Sequence, residues 1–202
     1  TEPIAIAYVA ARAKAVLGTD PVSCVVRCSG NIIKNVMGVT VPNSGGRRGV
    51  DVAAVLGIVG GNPDLELAVL QPITQEHIDR AMVLLSKGFC RCELVENVET
   101  LYIQVLLTDA AGNTAQVEAR ESHNNITKIV KNGKPLLSQE SHFFGISQSK
   151  EDKGLLSIKN ILDFADCVRM EDVKDIIDRQ IAYNTAISKE GLSRCYGVQA
   201  GQ

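Results

Sequence analysis

Leu101-Tyr102-Ile103-Gln104-Val105-Leu106-Leu107-Thr108-Asp109-Ala110-Ala111-Gly112-Asn113-Thr114-Ala115-Gln116-Val117-Glu118-Ala119-Arg120 decides the fold class. Leu101, Ile103, Val105 and Leu107 alternate with Tyr102, Gln104 and Thr108. After the Ala111-Gly112-Asn113 turn, Ala115, Val117 and Ala119 alternate with Gln116, Glu118 and Arg120. A period of two sends successive side chains to opposite faces, so this stretch predicts a hairpin with one apolar face. A second hairpin follows, Ile126 to Lys131 returning through Asn132-Gly133 to Leu136 and Leu137, and Asn-Gly is the strongest short turn signal in the chain. Upstream, Cys90, Cys92 and Leu94 share one face of a further strand, with Arg91 and Glu93 on the other. Residues 90–137 therefore predict an antiparallel sheet of about four strands.

Working outward, the period changes to that of helices. Pro3 to Leu17 predicts a helix, with proline at a tolerated early position and Gly18 as its stop. Only Arg12 and Lys14 offer it a polar surface, so other elements must enclose it. Val22 to Arg27 reads as a short strand, and helices follow near Asn31 to Met37 and Val50 to Val59. Thr74 caps an amphipathic helix carrying Ile78, Ala81, Met82 and Leu85, which Gly88 ends. Beyond the sheet, Ser138 to Gly154 reads as a polar loop, and helices near Ile158 to Val168 and Glu171 to Ser188 close the chain. The fold is α+β, apolar helices packed with an antiparallel sheet. It falls into a glycine-rich helical part over 1–88, a sheet part over 89–156 and a helical part over 157–202.

Composition narrows the function classes. The chain has 202 residues, 45% of them hydrophobic, and a formal net charge of −2. With few aromatics there is neither a basic stripe nor a stacking platform for nucleic acid. No run of about 18 apolar residues and no signal peptide is present, which points to a cytoplasmic protein without a membrane span. Six cysteines without a secretory signal read as reduced thiols. They lack the Cys-x-x-Cys or Cys/His spacing of a zinc site, so no metal ligands are assigned. The opening helix, reached without methionine or leader, reads as a truncated start.

Two polar stretches are candidates for chemistry. Eight of the seventeen glycines lie between Gly30 and Gly61. Within that span, Pro42-Asn43-Ser44-Gly45-Gly46 precedes an apolar helix, a pattern in which main-chain N–H groups can hold a carboxylate or phosphate. The same glycines equally suit close helix packing and sharp turns. The stretch matches no phosphate-loop or dinucleotide signature. Between the hairpins lies Glu121-Ser122-His123-Asn124-Asn125, where His123 can serve as a general base and Ser122 and the amides can orient a substrate; a solvated turn is the competing reading. His77, on a helix, and His142, beside Phe143 and Phe144, suit packing or surface roles.

Taken together, Thr1-Glu2-Pro3-Ile4-Ala5-Ile6-Ala7-Tyr8, Gly30-Asn31-Ile32-Ile33-Lys34-Asn35, Val41-Pro42-Asn43-Ser44-Gly45-Gly46 and Ser122-His123-Asn124-Asn125 resemble the L-cysteine desulfidases, proteins related to the α part of iron–sulfur L-serine dehydratase. The resemblance implies the N-terminal half of a longer lyase that converts L-cysteine to pyruvate, ammonia and sulfide by α,β-elimination. L-serine is the alternative substrate, and a non-enzymatic amino-acid-binding or assembly subunit is the alternative class. It implies a four-iron four-sulfur cluster in the complete enzyme, held by cysteines beyond this chain, with none bound to this fragment alone. Asn31, Asn43, Ser44, Gly45 and Gly46 would bind substrate, and His123 with Ser122 would carry proton transfer. Where that family tends to read Ser-His-Thr-Asn, this chain has Asn124. A missing C-terminal half or second polypeptide, and a homodimer, are the expected partners.

Overall fold

A helix that is apolar over most of its surface needs walls there, and the first helix has them along most of its length. In the computed structural model, α1 (Glu2–Leu17) carries Pro3 in its first turn and ends at Gly18, whose left-handed φ of 81° lets its N–H close on Lys14 O. Ala5 to Ala11, Ala13 and Leu17 are all buried. Its main partner is α3 (Val50–Gly60), buried from Val52 to Ile58. The two backbones approach so closely at Gly57 that a β-carbon there would sit 2.3 Å from Ala7 O. Small residues on α1 and one glycine on α3 thus permit the central packing of the core.

The structure describes residues 1–137 and 156–193. The polar loop expected over Ser138–Gly154, together with His142 and Cys195, lies outside the described residues. The chain divides into two compact units, Thr1–Gly145 and Ile146–Gln202.

In the first unit, the helices cover one face of a sheet of six strands among the described residues, not four. These are β1 (Pro21–Ser29), β2 (Cys90–Val95), β3 (Tyr102–Asp109), β4 (Thr114–Arg120), β5 (Ile126–Lys131) and β6 (Lys134–Leu137), in the spatial order β2-β1-β3-β4-β5-β6. The segment from Cys90 to Leu137 contributes five of them. The sixth, β1, inserts between β2 and β3, parallel to the former and antiparallel to the latter. Parallel neighbours need a long crossover, and α2 (Gly30–Gly38), α3 and α4 (Gln75–Ser86) supply it.

Register decides what each face carries. Cys24, Val26 and Cys28 of β1, Ile103, Val105 and Leu107 of β3, and Ala115, Val117 and Ala119 of β4 are buried on the face toward the helices. The opposite face carries a polar row that follows the register across four strands: Glu93, Arg27, Gln104, Glu118. Arg27 Nε donates to Glu93 at 2.7 Å, Arg27 Nη1 to Gln104 at 2.9 Å, and Arg120 Nε to Glu118 at 2.7 Å. Tyr102, against Arg120, donates its hydroxyl to Glu118, and burial with that carboxylate pushes its pKa up to about 12. Both hairpins form where expected. Asn132 (φ 51°) and Gly133 (φ 75°) make the second turn, and the Asp109 carboxylate ties the first by accepting from Ala111 N and Asn113 N.

The second unit contains α5 (Ile158–Cys167), capped by Ser157 Oγ accepting from Asn160 N, and α6 (Met170–Ser193). Ile158, Ile161, Leu162 and Phe164 on α5, and Ile176, Ile177, Ile181 and Ile187 on α6, are exposed. No helix among the described residues is long and apolar enough to cross a membrane.

Candidate functional site

The glycine loop between α2 and α3 is held by its own polar groups. Asn43, Gly45, Gly46 and Gly49 all have positive φ, at 56°, 69°, 86° and 121°. Ser44 is fully buried, and its hydroxyl accepts from Arg47 N at 2.9 Å and donates to Arg47 O at 3.1 Å. Arg47 folds back, Nη1 donating to Ser44 O and Nε to Met82 Sδ on α4. Ser44 therefore shapes the loop rather than presenting its hydroxyl. Asn43 sends one amide hydrogen to Leu70 O at 2.9 Å, which leaves its second donor and the exposed backbone at Gly45 and Gly46 on the surface.

The second polar stretch is a tight turn at the end of β4. Glu121 has φ 66° and donates its N–H to Leu101 O, Ser122 N donates to Arg120 O at 2.7 Å, and Asn125 Nδ2 donates to Arg120 O. Ser122 is exposed, whereas His123 is half-buried with its Nε2 shielded from solvent and without a hydrogen-bond partner among the described residues. Buried polar atoms are nearly always satisfied, so an orphaned ring nitrogen calls for an explanation.

These stretches share one element. Asn124 Nδ2 donates to Glu66 at 3.1 Å, and Glu66 lies in the short turn Pro63–Ala68 that leads to Leu70, the partner of Asn43. Glu66 itself has φ 45° and ψ −114°, a conformation that costs a non-glycine residue of order 1–3 kcal/mol. Asn31 belongs to the same end of the sheet. It is exposed in the first turn of α2, two positions after the capping Ser29, whose hydroxyl donates to Thr100 O at 2.6 Å. Thr100 precedes Leu101, which accepts from Glu121. Asn31 and the Ser122–Asn125 turn lie at the rim where β1, β2 and β4 end and β3 and β5 begin, and the glycine loop is linked to that turn through the segment carrying Glu66 and Leu70.

Glu66 is the rim residue that sequence reasoning missed. Asn62-Pro63-Asp64 does carry a start signal, since Asn62 Oδ1 accepts from Asp64 N, but nothing in the sequence marks a positive φ at a glutamate. His77 is a capping residue: its Nδ1 accepts from Thr74 N at 3.2 Å and its ring packs on Gly60. A small pocket lies elsewhere, lined in part by Lys14, Asp20, Arg80 and Phe89, with Asp20 paired to both cations.

The thiols do not suit a cluster. Cys24 and Cys28 are buried in β1, Cys90 and Cys92 sit on β2, and Cys167 is in α5. Burial pushes the Cys28 thiol up to about 12, and neighbouring thiols raise those of Cys90 and Cys92. Among the described residues, no three His, Cys, Asp or Glu side chains are arranged to hold a metal ion.

No family model matches the chain. Its whole length is similar to proteins named UPF0597: 41% identity over 202 residues in Finegoldia magna, 40% over 201 in Lachnoclostridium phytofermentans and 37% over 202 in Treponema denticola. The chain spans about half the length of these curated relatives, 47–48%. These matches overturn the resemblance drawn from the motifs. Across all 202 residues the relatives carry the UPF0597 name, which specifies no activity, and not that of a desulfidase or a serine dehydratase; the short motifs were too little of the chain to fix a family.

Proposed function

We propose that the rim belongs to a cytoplasmic α,β-eliminating lyase for a small amino acid, with L-cysteine as substrate and L-serine as the alternative. The observation that carries this reading is the shielded Nε2 of His123, which has no hydrogen-bond partner among the described residues, in a turn linked to the glycine loop through Glu66 and Leu70. The positive-φ backbone at Gly45 and Gly46, with the Asn43 amide and the exposed Asn31, would hold the substrate carboxylate. His123 Nε2 would accept the proton from Cα. The electron pair then forms the Cα–Cβ double bond as the Cβ–S bond breaks, and sulfur leaves as hydrosulfide. The enamine tautomerises to an imine, which water hydrolyses to pyruvate and ammonia. Ser122, exposed beside His123, would orient the substrate. A four-iron four-sulfur cluster, held in the complete enzyme by cysteines beyond this chain, would supply a Lewis acid, and no step above passes through it.

A second reading, an amino-acid-binding or assembly subunit, is favoured by the exposed apolar residues of α5 and α6, which suit a homodimer or a second polypeptide. Pyruvate formation from L-cysteine and L-serine by the complete natural gene product, purified without oxygen, separates the two. The lyase reading predicts turnover that His123→Ala lowers about 100-fold, the contribution of a general base. Binding of either amino acid without turnover supports the subunit.

A further inference from the structure

The parallel pairing of β1 with β2 places three thiols in a row that the rim chemistry does not use. Cys24 and Cys90 are register partners, and Cys92, two residues along β2, points to the same side. The Cys24 thiol raises the pKa of Cys90 and the Cys90 thiol that of Cys92, with Asp51, in the first turn of α3, adding to both. Access is graded along the row: Cys24 is buried, Cys90 half-buried and Cys92, on the edge strand, exposed. Adjacent strands stand about 4.8 Å apart, inside the Cα window of roughly 4.4–6.8 Å for a disulfide, whereas residues two apart along a strand, at about 6.6 Å, sit at its limit.

We propose that Cys92, Cys90 and Cys24 form a thiol relay that takes oxidising equivalents from a low-molecular-weight disulfide at Cys92 and stores them as a Cys24–Cys90 disulfide between β1 and β2. Cys92 gives up its thiol proton as its Sγ attacks one sulfur of the small disulfide, whose S–S bond breaks and whose other sulfur leaves and takes up that proton. Cys90 Sγ then attacks Cys92 Sγ and expels the second small thiol. Cys24 Sγ attacks Cys90 Sγ, and Cys92 is restored as a thiol. In balance, two protein thiols are oxidised and one small disulfide is reduced to two thiols. The product would pin the edge strand to β1, which ends at the Ser29 cap of α2.

Trypsin makes the test direct, because cleavage after Lys14, Arg27, Lys34, Lys87, Arg91 and Arg120 puts each of the four strand cysteines on a separate peptide. The native chain is incubated with oxidised glutathione, alkylated, digested and analysed by mass spectrometry. The relay predicts a linkage between Ala15–Arg27 and Gly88–Arg91, slowed in Cys92→Ser and lost in Cys90→Ser. Glutathione on Cys92 alone with Cys24 alkylated, or a terminal Cys90–Cys92 linkage with Cys24 free, would overturn it. The wild-type digest carries the decision, so a variant that folds poorly does not obscure it.

Discussion

Ser44 and Asp109 show how single side chains set the loops around the rim. The Ser44 hydroxyl both accepts from and donates to the Arg47 backbone in a fully buried position. Ser44→Ala strands Arg47 N and should cost about 1–3 kcal/mol, read as a lower denaturant midpoint at unchanged slope. Asp109 is held at about 2 by Asn113 and Thr19, with the turn N–H groups of Asn113 and Ala111 assisting. A carboxylate depressed below its unfolded value near 3.9 contributes stability that is present above that value and lost as pH falls from about 4 to 2. Thermal melts across that window should therefore show a shallower acid limb in Asp109→Asn; an unchanged limb would mean the carboxylate contributes little. At this scale the sequence was partly legible. Asn132-Gly133 announced its turn because only a few residues take that backbone, and the Ser122–Asn125 stretch announced a loop. Glu66 did not announce itself, because its strained φ comes from tertiary context and from no local preference.

Elements were read well where the pattern is dense. The hairpin of β3 and β4 and the helices α1, α3 and α4 form within a residue or two of their sequence bounds, because their apolar period runs unbroken. Pairing was not legible. The strand from Val22 to Arg27 carries no signal that it inserts between β2 and β3, since parallel contacts across some sixty residues of crossover arise only when the helices pack. The α1–α3 crossing is the test of that packing. A methyl group at Gly57 meets the Ala7 carbonyl, which is backbone and cannot swing aside. Gly57→Ala should destabilise the chain by about 1–3 kcal/mol despite alanine's better helix propensity, measurable as a lower thermal midpoint. A gain in stability would mean that the two helices sit farther apart.

For the whole molecule, the chain spans about half the length of relatives that match it from end to end, so its chemistry has to be asked of the complete product. The exposed isoleucines of α5 and α6 predict self-association or a second polypeptide, and light scattering of the purified chain should report a mass above the 21.7 kDa monomer. A monodisperse monomer at high concentration would argue against it. The candidate site was legible as two polar stretches with glycine, asparagine, serine and histidine. Their linkage was not, because Glu66 and Leu70, which bond Asn124 and Asn43, lie in a segment with no periodic signal. The most direct test is pyruvate released from L-cysteine by the complete gene product, purified without oxygen, compared with its His123→Ala variant. The account predicts release that the variant loses about 100-fold. Turnover unchanged in the variant, or no pyruvate from either L-cysteine or L-serine, would contradict it.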